Sequence, residues 1–179
     1  MADEIKAFER AFDKRLKKDF VQNLKSTPRE LTEEELKNRI IRFLDDHCIC
    51  TLATCSDNIP RSTILRYRNR GLTIYFFTEG GGKVKNLKVN PKVSVSVCGE
   101  YTGFQSVCCL QAWGTAAILN PREEEYRELK TFFNLSQRED VKKAGIKDVP
   151  DMFLIRIDLT RMRFLSFPEA ILNQELQVG

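Results

Sequence analysis

The chain carries one histidine and one tryptophan in 179 residues. No apolar run in it approaches the ~18 residues of a membrane span. The missing run removes a helical membrane anchor, and the opening MADEIKAFERAF lacks the apolar stretch of a secretory leader. A cytoplasmic protein is expected, with no membrane partner and with its six cysteines as thiols rather than disulfides. No C-x-x-C occurs, so Cys48-x-Cys50 and the vicinal Cys108-Cys109 do not form a metal or redox motif; cysteines two apart in a strand share a face, as small buried hydrophobes do. A strong excess of one charge is missing too. Lys and Arg number 29 against 25 Asp and Glu, a net charge of +4, which suits an anionic ligand but not the markedly basic surface of a nucleic-acid binder. There are no internal repeats and no low-complexity segments. What remains is ordinary for a globular protein, 42% hydrophobic and 30% charged, and long enough for one domain with a substantial core.

Ile5, Phe8, Phe12, Leu16, Phe20 and Leu24 recur every three or four residues, which predicts a helix with one apolar stripe, broken at Thr27-Pro28. Its mixed charge favours packing on the rest of the protein or on a second copy rather than on a membrane. Thr32 followed three residues later by Glu35 is a capping box, opening a second helix that buries Leu36, Ile40, Ile41, Phe43 and Leu44. The period then turns strand-like. Strands are predicted at 48–55, 61–67 and 72–78, with turns at Ser56-Asp57-Asn58 and Asn69-Arg70-Gly71. Gly80-Gly81-Gly82 leads into a short helix, 83–89, closed by Asn90-Pro91. Val93 to Val97 alternates strictly, and a long strand over 104–119 should bend near Gly114. Pro121 opens a charged helix through Phe133, in the first-turn position proline favours. Residues 152–159 and 162–167 read as two final strands before a tail. Short strands joined by tight turns argue for a mainly antiparallel small barrel, α+β by composition once the helices are counted.

The segment Arg61-Ser-Thr-Ile-Leu-Arg66 carries the most chemistry. Alternation puts Arg61, Thr63, Leu65 and Tyr67 on one face and Ser62, Ile64, Arg66 and Arg68 on the other. An exposed strand can carry Arg and Thr for solubility alone. Yet Thr78 ends the neighbouring strand, glycines 80 to 82 let backbone approach a ligand, and Lys83 sits where a helix begins. Its charge and the free helix N–H groups can act on one anion, and a phosphate needs several such donors at once. Lys85 and Lys88 are solvated helix residues, without the aromatic interleaving of a nucleic-acid surface. His47, between helix and strand, is a cap or surface residue, or else an acid/base group or haem ligand.

The run LATCSDNIPRSTILRYRNRGLTIYFFTEGGGKVKNLKVNPKVSVSV, residues 52–97, resembles the pyridoxamine 5′-phosphate oxidase-like family of FMN-binding split barrels. The marks are the opening LAT strand, Pro60-Arg61, Thr78 and, most specific, Lys83-x-x-x-Leu87-x-x-Asn90-Pro91 before an alternating strand. Gln111-Ala-Trp113-Gly114 is similar to a later family strand. The resemblance implies a six- to seven-stranded antiparallel split barrel over 36–167, with a helical extension at 1–35 and a tail at 168–179. It implies that Arg61 and Lys83 bind the FMN phosphate, helped by a hydroxyl of Ser62, Thr63 or Thr78 and by the backbone at Gly82. Ile64, Leu65 and Arg66 would lie along the flavin ring beside Phe77, with Arg66 placed to stabilise reduced flavin. Gln111 and Trp113 would come from the partner subunit of a homodimer. Two departures stand out. The family's C-terminal Trp and Arg-x-His motif, which grips vitamin B6, has no counterpart after Phe164, and glycine replaces Ser-Arg before Lys83. The implied activity is an FMN-dependent oxidoreductase on a small molecule other than vitamin B6. The competing reading is a non-catalytic flavin- or haem-binding storage or stress protein.

Overall fold

A computed structural model describes residues 27–134, 139–143, 145 and 152–178. The stripe predicted as a helix between Ile5 and Leu24 lies outside the described residues. The first described helix, α1 (Glu33–Asp46), starts as its sequence requires. Glu35 N–H donates to the Thr32 hydroxyl, and the Glu35 carboxylate accepts from Thr32 N–H at 2.8 Å. Leu36, Ile40, Phe43 and Leu44 are buried, while Ile41 is only half-buried. His47 closes the helix, its Nδ1 lying 2.7 Å from the Phe43 carbonyl and its ring 4.2 Å from that of Phe43.

Among the described residues eight strands follow, all paired antiparallel: β1 (Ile49–Ser56), β2 (Ile59–Arg66), β3 (Arg68–Arg70), β4 (Thr73–Thr78), β5 (Lys92–Cys98), β6 (Cys108–Leu119), β7 (Phe153–Ser166) and β8 (Ile171–Gln177). Helix α2 (Gly82–Val89) joins β4 to β5, and α3 (Glu124–Phe133) and α4 (Glu139–Lys143) lie between β6 and β7. β1 and β2 form a hairpin through Asp57 and Asn58, whose positive φ values of 52° and 59° are tolerated best by Asp, Asn and Gly. The strand order is β2-β1-β5-β6-β7-β4-β3, with β8 also on β7. Long β7 pairs β6 along one edge and divides the other, giving residues 153–158 to β4 and 161–166 to β8.

Residues 59–70 close the barrel. They run extended with one interruption, Tyr67; the first part pairs with β1 and the last with β4, joining the two ends of the strand order through one piece of chain. Tyr67 is buried, its N–H donating to Cys48 O at 2.8 Å and its hydroxyl to Leu44 O at 2.9 Å. Burial drives its phenol pKa above the ordinary tyrosine range. Inward residues such as Leu52, Val95, Leu110, Ile157 and Phe164 fill the core under α1. A second cluster of Tyr75, Tyr126, Leu129, Phe133 and Leu154 seats α3 against the outside of β4 and β7.

The mainly antiparallel split-barrel expectation holds, with several local corrections. Phe153–Ser166 form one strand where two were expected at 152–159 and 162–167, because β6 pairs it on both sides of a bulge. The segment expected as a tail forms β8; Ala170 and Asn173, at φ 55° and 50°, interrupt the alternation by which a strand is read. The strands among the described residues therefore number eight, more than the predicted six or seven. Phe104–Ser106 is a 3-10 turn, and β6 begins at Cys108. Pro121 lies in a turn before α3, which starts at Glu124 with Glu123 as its cap. Among the described residues no helix is long and apolar enough to cross a membrane.

Tyr67→Phe should destabilise the protein by about 1–3 kcal/mol, because it removes one hydrogen bond and leaves the Leu44 carbonyl unsatisfied at the closure point. Urea unfolding of the two forms under identical conditions measures this; equal midpoints would contradict it.

Candidate functional site

Three glycines bring β4 into α2 by a route that other residues resist. Gly80 and Gly81 have φ values of 117° and 86°, and a Cβ on Gly80 would stand 3.2 Å from the Phe153 ring. Gly81 caps α2 without a side chain. Thr78 is buried, its hydroxyl accepting from Gly80 N–H at 3.4 Å, and Lys83 Nζ donates to Gly80 O at 2.8 Å. The helix is fastened from its other side. Asn86 donates to the Thr54 hydroxyl at 3.1 Å and accepts from that of Ser56 at 2.9 Å. Asn90 donates to Cys55 O and accepts from Lys92 N–H, both at 3.1 Å. Val84 and Leu87 are buried beneath. The Lys-x-x-x-Leu-x-x-Asn-Pro spacing thus has a physical meaning: a cation at the helix mouth, an apolar anchor in the core, and an amide bonded to both β1 and β5.

Arg61 comes to the same mouth from β2, where it stands opposite Thr54. Its guanidinium lies against Gly82, so closely that a Cβ there would be 2.5 Å from Nε. Neither Arg61 nor Lys83 has a carboxylate partner among the described residues. Two cations and the first N–H groups of α2 thus converge, among the described residues without a paired carboxylate, an arrangement able to hold a compact anion such as a phosphate monoester.

The β2 side chains divide as alternation predicts. Arg61, Thr63 and Leu65 stand opposite Thr54, Leu52 and Cys50, and Leu65 packs on the core. Ser62, Ile64 and Arg66 stand on the outer face opposite Ala53, Thr51 and Ile49. That face is apolar in places, with Ile64 74% and Ile49 51% exposed. Following the register outward, one row runs Ile64, Thr51, Ser96, Gln111, Arg163 and the next Ser62, Ala53, Ser94, Trp113, Arg161. Gln111 and Trp113 therefore share the face of Ser62 and Ile64 but lie three strands away, about 14 Å at about 4.8 Å per strand. Phe77 points elsewhere, into the α3 aromatics against Tyr126 and Phe133, so only its backbone is available beside Thr78. Gly114 sits at the β6–β7 bulge, where a Cβ would meet Asp158 O at 2.3 Å; it shapes the strand and carries no ligand group.

Arg161, Arg163 and Glu175 were not singled out in the sequence, since only register brings them together. Both arginines bind the Glu175 carboxylate, and Arg161 lies 4.8 Å over the Trp113 ring. Hydrogen bonds from Arg161 and then Arg163 pull the Glu175 carboxyl down to about 2.

An antiparallel barrel closed through one bent segment, with two cations at a helix mouth against that segment, defines a split-barrel protein. The family profile of pyridoxamine 5′-phosphate oxidase matches residues 36–166, and the chain belongs to that family. It is 26% identical over 140 residues to General stress protein 26 of Bacillus subtilis, covering 78% of this chain and 94% of that protein. Among solved structures, the fold is similar to that of an FAD-binding protein from Mesorhizobium loti, with TM-score 0.57, 21% identity, and 70% and 88% of the two chains covered. It is also similar to HutZ, the haem storage protein from Vibrio cholerae, with TM-score 0.55, 17% identity, and 69% and 89% covered.

The Glu175 carboxyl is depressed in the folded state, so the stability it contributes is present above the unfolded carboxyl pKa of about 4.3 and is lost as pH falls toward about 2. Glu175→Gln should lower stability slightly at neutral pH and converge on the wild type as pH falls toward about 2, so that its stability varies less across that window. Acid titrations followed by circular dichroism test this; identical curves would contradict the assignment.

Proposed function

We propose that the protein binds FMN and acts as an FMN-dependent oxidoreductase on a small molecule, as a homodimer. The observation that carries this reading is the cradle formed by Arg61, Gly82 and Lys83: paired cations without a carboxylate partner among the described residues, at a helix N-terminus and against a glycine that leaves room for the guanidinium. This donor set fits a phosphate monoester. Arg61, Lys83 and the α2 N–H groups hold the phosphate, with Thr78, Ser62 or Thr63 supplying a hydroxyl. The exposed Ile64, with Leu65 and Arg66, offers an apolar and cationic edge to a flat ring, and Phe77 contributes through its backbone. When bound, FMN supplies a redox-active ring nitrogen that exchanges a hydride or electrons with the substrate. This chain's own residues bind, orient and shield; no side chain is assigned to proton transfer. Arg66 would favour the negative charge that builds up on reduction.

The register supports the dimer. A flat ring seated against Ile64 lies about 14 Å of sheet from Gln111 and Trp113 of the same chain, a separation that favours their coming from a second copy. The missing counterpart of the family's C-terminal motif argues against vitamin B6 as substrate. Similarity to a haem storage protein favours one alternative, a non-catalytic haem or flavin binder in the same barrel.

The purified protein should show an oxidised-flavin spectrum; a Soret band would favour haem instead. Titration of the apo-protein with FMN should show Arg61→Ala and Lys83→Ala each weaker by roughly 1.5–3 kcal/mol, the worth of a charged hydrogen bond. Colourless protein that ignores added FMN would sink this reading. Sedimentation equilibrium should give a dimer mass, and Ile64→Lys should shift it toward the monomer by placing a charge on the outer face.

A further inference from the structure

Of the six cysteines, one pair faces each other across two strands. Cys98 of β5 and Cys109 of β6 are register partners, with side chains on the outer face. The neighbouring Gly99 N–H donates to Cys108 O at 2.8 Å. That bond makes Cys98 and Cys109 a non-hydrogen-bonded pair, the closer of the two antiparallel arrangements, with Cα atoms about 4.5 Å apart. A disulfide needs a Cα separation of roughly 4.4–6.8 Å, so the pair lies within reach without moving a strand. Cys98 is exposed and Cys109 half-buried, and all six cysteines are free thiols. The other thiols are placed differently. Cys50 is buried on the inner face, where desolvation pushes its pKa up to about 12. Cys108 points inward, hydrogen-bonded to Ser166, and has no cysteine opposite it.

We propose that Cys98 and Cys109 form a reversible cross-strand dithiol–disulfide site, oxidised by hydroperoxides. The exposed Cys98 thiolate attacks the terminal oxygen of a hydroperoxide, breaking the O–O bond, releasing the alcohol and leaving a sulfenic acid on Cys98. The Cys109 sulfur then attacks that sulfur. The S–S bond forms, the S–O bond breaks, and hydroxide leaves as water with the Cys109 proton. In sum, two thiols and one hydroperoxide give one disulfide, one alcohol and one water. Cys109 lies two residues from Gln111 on the same face of β6, so oxidation of the pair would cross-link that strand to β5. The thiol chemistry is independent of the flavin reading, and its test needs no cofactor.

The experiment treats the full-length protein with cumene hydroperoxide under native conditions, then alkylates and measures intact mass and peptide links. The expected result is a loss of two mass units and of two alkylated thiols, with a peptide joining 98 to 109, reversed by dithiothreitol. Cys98→Ser and Cys109→Ser should each abolish the link, while Cys48→Ser should keep it. A link between other cysteines, links only between chains, or over-oxidation of Cys98 with no link would overturn the proposal. Because the wild-type peptide map decides the outcome, a variant that failed to fold would not leave it open.

Discussion

The barrel depends on the bend at Tyr67. One extended segment, residues 59–70, is shared between both ends of the sheet, and a strand can leave one partner for another only where its backbone turns. Tyr67 makes that turn tolerable by giving its N–H to Cys48 and its hydroxyl to Leu44 while its ring fills the core. Both partners flank the end of α1, so helix and closure are tied together. A buried phenol without such a bond would cost more than its ring contributes. The same closure fixes β2 in space, and with it every candidate ligand-binding side chain from Arg61 to Arg66.

The cradle follows from that placement. α2 is a short helix with little intrinsic stability; Val84 and Leu87 in the core, and Asn86 and Asn90 on β1, hold it in position. Its N-terminus is thereby aimed at Arg61. Like charges and aligned N–H dipoles repel one another when brought together, so such a mouth is held open by structure elsewhere and favours an anion that relieves the repulsion. The glycines serve the same end, two by reaching backbone conformations other residues resist and Gly82 by leaving space for the guanidinium. The outer sheet face has a different character. It combines exposed Ile49 and Ile64 with serine, a Trp–Arg–Glu group and the facing cysteine pair.

Much of this was legible in the residues alone. The capping box at Thr32 and Glu35, the alternation of 61–67 and 93–97, the hairpin at Asp57-Asn58 and the position of Lys83 at a helix start are local rules, and local rules survive folding. What failed, failed for a physical reason. β8 was hidden because Asn173 breaks the period of two, and β7 looked like two strands because a bulge interrupts its pattern without ending its pairing. Phe77 sits beside Thr78 in sequence but belongs to the opposite face, whose function is to hold α3.

The sequence by itself therefore determined the strand character, the helix caps, the glycine approach to α2 and the family to which the chain belongs, since each rests on neighbours within a few residues. The tertiary structure alone decided the rest. It seats the Arg61 guanidinium on Gly82, separates Gln111 and Trp113 from Ile64 by three strands, gathers two arginines on Glu175 and sets Cys98 opposite Cys109. These are contacts between residues far apart in the chain, set by strand register, and no local pattern encodes a register by itself.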